Sequence, residues 1–142
     1  MKALNTVKIT FPSRSVNEGF ARAAAAAFAA QLDPTLDELA DVKTAVSEAV
    51  TNCIVHAYAN TIGPITLTAA LYEDGTLRVA VADKGCGIPD VSKAMEPLFT
   101  TGGAERAGLG FAVMESFMDS VKVRSAPGKG TRVTLSKRLG TR

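Results

Sequence analysis

The chain has 142 residues, of which 46% are apolar and 21% are charged, a composition that argues against disorder and provides for one hydrophobic core. Its formal net charge of +2 is too small to predict nucleic acid or an anionic membrane as the main partner. Two cysteines, Cys53 and Cys86, argue against a disulfide framework or a structural zinc site. The longest apolar run, residues 23–30, is far shorter than the ~20 residues that span a bilayer.

Targeting signals and domain boundaries are not evident along the chain. Residues 1–8 contain no long apolar region, so we expect no secretory signal and a cytoplasmic location. No linker or repeat divides the chain, and residues 1–142 are expected to form a single domain.

Residues 122–142 contain seven basic residues and no acidic one. Because no aromatic residue is interleaved for base stacking, we interpret this segment as a solvated basic strand and tail.

The first half of the chain predicts a strand followed by two helices. Residues 7–11 alternate apolar and polar side chains, which is typical of a half-buried strand. Residues 15–18 fit a capping box, so a helix is expected to begin there. Residues 35–38 fit a second capping box, and the helical spacing of apolar residues after it continues to about Tyr58.

The second half predicts two hairpins separated by a long loop and a helix. Residues 65–71 and 77–81 are predicted strands joined by a turn at Asp74-Gly75. A helix is expected over residues 111–120, and the strands 121–125 and 131–135 close the chain. The order β-α-α-β-β-loop-α-β-β predicts an α/β two-layer sandwich, with the helices on one face of a mixed, mostly antiparallel sheet.

Three polar residues are spaced four apart on the second helix. Glu48, Asn52 and His56 should therefore share one face of it. An asparagine oxygen suits Mg²⁺, which takes a few protein oxygens together with phosphate and water oxygens. A carboxylate one turn away could accept a proton from an attacking hydroxyl. We interpret His56, taken alone, as an exposed or hydrogen-bonded histidine rather than a metal ligand.

Asp83 ends an apolar strand and begins the pattern Asp-X-Gly-X-Gly. An ionised carboxylate only accepts hydrogen bonds, so it can accept from the exocyclic amine of adenine, whereas guanine presents a carbonyl there. Gly85 and Gly87 would let a ligand approach the backbone. A simple strand-to-turn connection would also explain these residue types.

Gly108-Leu109-Gly110 precedes the third predicted helix, where free N–H groups suit phosphate. The loop before it is long enough to be functional, and Arg106 near its end could reach a terminal phosphate. Neither the P-loop pattern nor the protein-kinase loop pattern is present, so a nucleotide would be held in another way.

These motifs occur in an order that is found in a known superfamily. Glu48-X-X-X-Asn52, Asp83-X-Gly85-X-Gly87, Gly108-X-Gly110 and Gly130-Thr131 resemble the nucleotide-binding boxes shared by gyrase, Hsp90, histidine kinases and MutL. Stretches including residues 46–52, 97–101 and 114–119 are more similar still to the anti-sigma F factor family, the sporulation serine-protein kinases of endospore-forming bacteria. The resemblance extends from about Asn17 to about Leu139.

The resemblance implies a histidine-kinase-type ATPase fold that binds ATP or ADP with Mg²⁺. It implies that Asn52 ligates Mg²⁺, that Glu48 is the catalytic base for a serine hydroxyl, and that Asp83 binds adenine. The other residues implied to contact or cover the nucleotide are Gly85, Gly87, Thr100, Thr101, Arg106, Gly108, Leu109, Gly110 and Thr131, the last of these through water.

The resemblance also implies the partners. A homodimer would bind and inhibit a sporulation sigma factor, and as an ATP-dependent serine kinase it would phosphorylate and inactivate the anti-anti-sigma factor. Arg22 matches an arginine that touches both partner proteins. The resemblance implies no direct contact with nucleic acid or membrane.

Two alternative functions remain open at this stage. One is a detached histidine-kinase-type catalytic domain, and the other is a nucleotide-gated binding module without kinase activity. His56 is the only histidine and lies within the predicted catalytic helix, which argues against self-phosphorylation. Glu48 argues against the second alternative, since a binding module needs no base.

Overall fold

A computed structural model describes residues 2–95 and 110–140. Its strands are β1 (Ala3–Pro12), β2 (Pro64–Tyr72), β3 (Thr76–Asp83), β4 (Ser120–Ser125) and β5 (Thr131–Arg138), and its helices are α1 (Asn17–Ala29), α2 (Leu36–Asn52), α3 (Val91–Ala94) and α4 (Phe111–Phe117). A 3₁₀ turn, Ala30–Leu32, follows α1, and a π-helical segment, Cys53–Ala57, follows α2. Within these ranges no helix combines the length and the apolar composition that a membrane crossing requires.

The five strands form one sheet in the order β1-β2-β3-β5-β4. All four described pairings are antiparallel, which confirms that the sheet is mostly antiparallel. The prediction of a mixed sheet was wrong for the described strands, because none of them pairs in parallel. The β3–β5 pairing places Asp83 directly opposite Thr131. Two residues from separate sequence motifs therefore meet at the same end of the sheet.

The core lies between this sheet and helices α1 and α2. The α2 residues Val42, Val46 and Val50 are completely buried, as their helical spacing predicts. The inward side chains of the sheet pack in the same cluster, among them Ile65, Leu67, Leu77, Val79, Val81 and Leu135. Burial of one such aliphatic side chain contributes about 1.5–3 kcal/mol. This packing fixes α2 over the centre of the sheet and confirms the predicted two-layer sandwich.

Only one of the two predicted capping boxes forms. The Thr35 hydroxyl accepts from the Glu38 amide at 3.1 Å, and the Glu38 carboxylate accepts from the Thr35 amide at 2.8 Å. At α1 the prediction was wrong, because the N-cap is Val16 and no side chain caps it. The Glu18 side chain points along the helix instead and pairs with Arg22 at 3.4 Å.

Two predicted helix ends also differ from the structure. The α-helical part of α2 ends at Asn52, and the residues up to Ala57 adopt the wider π-helical turn. Helix α4 ends at Phe117, since the backbone at Met118 is already extended. The short helix α3 was not predicted; the Asp90 carboxylate begins it by accepting from the Lys93 amide at 3.0 Å.

Candidate functional site

A cavity of about 420 Å³ opens between the end of α2 and the ends of β3 and β5. Helix residues Asn52 and His56 line one side of it, and Asp83 and Thr131 line the sheet side. Most of the remaining lining is apolar and comes from Ala49, Cys53, Ala57, Val81, Ile88, Pro89, Ala94, Phe111 and Val133, and Cys86, Gly87, Asp90 and Lys93 complete it. A mostly apolar pocket of this size with a few convergent polar groups is typical of small-ligand sites.

The Asp83 carboxylate is held in place by backbone amides from two motifs. Its Oδ1 atom accepts from the Gly85 amide at 2.9 Å and from the Thr131 amide at 3.2 Å. Two N–H donors on one oxygen stabilise the ionised carboxylate and fix its orientation. The site therefore presents a fixed acceptor at the cavity wall, suited to a ligand that carries an N–H group.

The glycines after Asp83 are required by close backbone packing. A Cβ atom at Gly85 would overlap the Ala57 carbonyl at the end of the π-helical segment, and one at Gly87 (φ 78°) would overlap the Ala126 carbonyl. Gly87 lines the cavity, whereas Gly85 lies behind its wall. The prediction that both glycines approach a ligand stays open for Gly87, while Gly85 shapes the turn that holds Asp83.

The Thr131 hydroxyl belongs to a short network centred on Ser125. Ser125 Oγ accepts from the Ile88 amide at 2.7 Å, is 2.9 Å from the Gly130 carbonyl and is 2.7 Å from Thr131 Oγ1. Since Ser125 has one proton to donate and the Gly130 carbonyl can only accept, the Thr131 hydroxyl donates to Ser125. Thr131 Oγ1 then keeps lone pairs for a water or ligand in the cavity. Ser125 was not predicted as a site residue, because no local sequence pattern distinguishes it.

Glu48 lies beside the cavity, next to the start of α4. Its side chain is half-buried, and its carboxylate contacts the backbone at Gly110, where any Cβ atom would overlap Glu48 Oε2. The positive φ of 68° at Gly110 also favours glycine. Asn52 and His56 line the cavity, and Glu48, one turn before Asn52, faces the start of α4 beside it.

Tyr58, which was not predicted as a site residue, connects the helix side of the site to the sheet side. It is 6% exposed, and its hydroxyl donates to the Pro64 carbonyl at 2.7 Å and accepts from the Lys84 amide at 2.6 Å. Burial raises the pKa of the Tyr58 hydroxyl, so it remains a neutral donor and acceptor. Tyr58 therefore positions the backbone immediately after Asp83.

Cys53 forms part of the cavity floor, close to Asp83. Burial, the negative charge of Asp83 and a hydrogen bond with that carboxylate raise the pKa of the Cys53 thiol far above its ordinary value. The thiol also lies 3.5 Å from the Ala49 carbonyl. Cys53 therefore remains a neutral thiol, whereas Cys86 at the cavity wall is exposed.

The remaining predicted residues lie away from this cavity or outside the described residues. Arg22 is exposed on α1 and pairs with Glu18. Thr100, Thr101, Arg106, Gly108 and Leu109 fall outside the described residues. Their predicted contacts to phosphate stay predictions.

The polar groups at the cavity are compatible with a Mg²⁺ ion that is coordinated partly by the protein and partly by a bound small molecule. Within residues 2–95 and 110–140, no group of three or more His, Cys, Asp or Glu side chains could hold a metal alone. Asn52 lines the cavity with one amide oxygen. Mg²⁺ is commonly bound by one or two protein oxygens together with phosphates and water, so this donor set fits a metal that is bound with a nucleotide.

Comparison with known proteins assigns the family. The histidine kinase-like ATPase domain family matches residues 11–137. The chain is 57% identical over 141 residues, 99% of its length and 98% of the relative's, to a protein named anti-sigma F factor from Caldanaerobacter subterraneus subsp. tengcongensis. It is 52% identical over 136 residues, 95% of its length and 94% of the relative's, to the anti-sigma F factor of Clostridium acetobutylicum. The chain belongs to the anti-sigma F factor family.

A solved structure agrees with this membership of the anti-sigma F factor family. The crystal structure of the RsbU and RsbW domains of Rv1364c from Mycobacterium tuberculosis matches with a TM-score of 0.69 and 25% identity. The match covers 95% of this chain and 32% of that one. The histidine-kinase-type ATPase fold and the family predicted from the motifs are therefore confirmed. This anti-sigma F factor family member carries a nucleotide-binding, kinase-like ATPase domain.

Proposed function

We propose that residues 1–142 act as one domain that binds and inhibits a sporulation sigma factor and that phosphorylates a serine of its anti-anti-sigma factor with ATP. The observation that carries the enzymatic part is the convergence of Asn52, Asp83 and Thr131 on one cavity. These residues come from three separate stretches of the chain, and each would bind a different part of a nucleotide or its metal ion. Family membership supports the sigma-binding part, and it favours this function over a detached histidine-kinase domain.

The adenine end of the nucleotide is proposed to lie against Asp83. The carboxylate would accept from the exocyclic amine of adenine, while its Oδ1 atom keeps the bonds from Gly85 and Thr131. Guanine would place a carbonyl against this carboxylate and leave two acceptors facing each other. Thr131, whose hydroxyl proton is directed to Ser125, would accept from a water bound to the purine.

Asn52 is the proposed Mg²⁺ ligand, and Glu48 is the proposed base. When bound with the triphosphate, Mg²⁺ supplies positive charge to the phosphate oxygens. The Glu48 carboxylate would accept the proton of the substrate serine as its Oγ atom bonds to the γ-phosphorus, and the bond between that phosphorus and the ADP oxygen breaks. Gly110 gives the carboxylate room to face the reacting atoms from beside α4.

The proposed protein-binding surface lies on the first two turns of α1. Arg22 is exposed on the second turn and pairs with Glu18 at 3.4 Å. Arginine is enriched at the centre of protein interfaces. Sigma factor and anti-anti-sigma factor would compete for this surface on a homodimer. Because sigma factors act on RNA polymerase, the proposed location is the cytoplasm.

The proposal is tested by phosphoryl transfer to a defined partner. The chain is incubated with γ-labelled ATP, Mg²⁺ and a purified anti-anti-sigma factor, and the labelled product is exposed to acid and to base. The expected product is stable in acid and labile in base, as phosphoserine is. An acid-labile product would indicate a phosphohistidine and a histidine-kinase-type domain. Binding of ATP without any transfer would indicate a nucleotide-gated binding module.

A further inference from the structure

The Ser125 hydroxyl, at the end of β4, is bonded to two parts of the cavity wall. It accepts from the Ile88 amide at 2.7 Å and donates to the Gly130 carbonyl at 2.9 Å. Its Oγ atom also lies 2.7 Å from Thr131 Oγ1. Ile88 and Thr131 line the cavity, whereas Ser125 lies behind them. An effect of Ser125 on a ligand in the cavity therefore passes through the residues that it holds.

The three hydrogen bonds use the whole bonding capacity of the Ser125 hydroxyl, which sets the direction of each bond. A hydroxyl has one proton to donate and two lone pairs that accept. The proton goes to the Gly130 carbonyl, so Ser125 accepts from both the Ile88 amide and the Thr131 hydroxyl. The Thr131 proton is therefore directed away from the cavity. Toward a ligand, the Thr131 hydroxyl is an acceptor and not a donor.

The backbone around Ser125 is held by other bonds as well. The Gly128 amide donates to the Cys86 carbonyl at 2.7 Å, which fixes the loop after β4 against the turn that follows β3. The Thr131 amide donates to Asp83 Oδ1 at 3.2 Å. Neither of these two bonds involves the Ser125 hydroxyl. Its removal is therefore expected to release the Thr131 proton while the backbone of the cavity wall stays in place.

We propose that Ser125 is a positioning residue for purine recognition, because it accepts the Thr131 proton and so orients a water that binds Thr131. The inference rests on the proposed function, in which Asp83 accepts from the exocyclic amine of adenine and Thr131 accepts from a water. A water that donates one hydrogen to Thr131 has its second hydrogen available for the purine. The two ring nitrogens that flank the amine of adenine, N1 and N7, are both acceptors and match this hydrogen.

The test combines removal of the Ser125 hydroxyl with removal of each ring nitrogen. Titration calorimetry with Mg²⁺ measures the affinities of ATP, 1-deaza-ATP and 7-deaza-ATP, in which a C–H group replaces N1 or N7. The parent is expected to bind one of the analogues about three- to tenfold more weakly than ATP, the effect of one hydrogen bond. In S125A this difference is expected to fall to about twofold or less, because the water is no longer oriented and only ATP affinity decreases.

Three further variants separate the positioning role of Ser125 from a structural one. T131V removes the acceptor itself, so the double variant S125A/T131V is expected to discriminate no better than T131V alone. S125C keeps a side chain of similar size but is a weak acceptor, and it is expected to lose the discrimination as S125A does. S116A is the matched control, since it removes an exposed hydroxyl that donates to the Val113 carbonyl of its own helix at 2.7 Å. It is expected to discriminate as the parent does.

The contrary outcomes distinguish this inference from the proposed function. Equal losses of affinity for ATP and for both analogues in S125A would show a structural role and overturn the positioning role. A difference between ATP and the analogue that persists in S125A and S125C would overturn it too. If the parent binds ATP and both analogues equally, the role of Ser125 is excluded while the adenine site stands. If the parent binds no ATP, the proposed function fails and this inference fails with it.

Discussion

The Asp83 carboxylate accepts a hydrogen bond at 3.2 Å from the backbone amide of Thr131, a residue 48 positions later in the chain. This bond joins the end of β3 to the start of β5, where the two residues are also ladder partners. The backbone after Asp83 is fixed from the other side, because Tyr58 binds the Lys84 amide. The acceptor that we assign to adenine is therefore oriented before any ligand arrives, and its orientation depends on residues that need not touch the nucleotide.

Replacement of Tyr58 by phenylalanine should lower both stability and nucleotide affinity. The variant leaves the Lys84 amide and the Pro64 carbonyl without their partner, and a buried group left unpaired costs about 1–3 kcal/mol. We expect a lower melting temperature and a weaker Kd for ATP by calorimetry. Y72F is the matched control, since it removes a tyrosine hydroxyl at the end of β2 whose hydrogen bond from Arg78 is exposed. Equal effects of Y58F and Y72F on ATP affinity would remove Tyr58 from its positioning role.

The two cysteines should differ strongly in reactivity toward iodoacetamide. Because burial and Asp83 raise the pKa of the Cys53 thiol, it should not react near neutral pH in the folded protein. Cys86 is exposed at the cavity wall and should be the thiol that reacts, more slowly when ATP is bound. Mass spectrometry of labelled peptides locates the modification, and C86S should react only after unfolding. Labelling of Cys53 at the same rate as Cys86 would contradict this description of the cavity floor.

Arg22→Glu should impair binding to protein partners without affecting the nucleotide. The substitution removes the cation from the α1 surface and places a second acid one turn from Glu18, its present partner. We expect capture of the sigma factor to weaken more than about tenfold, because arginines at interface centres often contribute 2 kcal/mol or more. R14E changes another exposed arginine, before α1, and serves as the control. Normal capture by R22E would exclude this surface.

Glu48→Gln should separate catalysis from binding. The amide keeps the size of the side chain beside Gly110 but is not a base, so phosphoryl transfer should fall about 10²–10⁴-fold. Affinities for ATP and for the sigma factor should stay close to those of the parent, as expected for a group that acts only in the transition state. Single-turnover kinetics with labelled ATP measure the first effect. Unchanged turnover would show that another group accepts the proton.

The elements that could be predicted are those with strong local patterns. Alternation predicted the strands, the Thr35 and Glu38 pair predicted the start of α2, and the helical spacing of its valines predicted its buried face. The start of α1 was predicted correctly, but its capping box was not, because Glu18 pairs with Arg22 rather than returning to cap the helix. The helical run after Thr35 continues to Ala57, close to its predicted end, but its change to a π-helical turn after Asn52 was not predicted, because no local residue pattern indicates it.

Only some of the site residues could be predicted, because some belong to sequence motifs and others act only through contacts that the fold creates. Asp83, Asn52 and Thr131 belong to motifs that can be recognised in the sequence, and the structure brings all three to one cavity. Tyr58 and Ser125 act through partners that are distant in the chain, the Lys84 amide and the Ile88 amide, so only the fold reveals them. Lys122, Arg124 and Arg132 belong to the basic segment that we first interpreted as solvated. They lie on one face of the sheet, because side chains alternate between the two faces along a strand.

Titration calorimetry of the protein with ATP and with GTP, each with Mg²⁺, tests most directly whether the cavity beside Asp83 is an adenine-nucleotide site. We predict one ATP bound per chain, markedly weaker binding of GTP, and a loss of about tenfold or more in ATP affinity for Asp83→Asn. Asp90→Asn, at another carboxylate of the same cavity, should bind ATP as the parent does. Absence of binding heat with ATP, or equal ATP affinity in the parent and Asp83→Asn, would contradict the assignment.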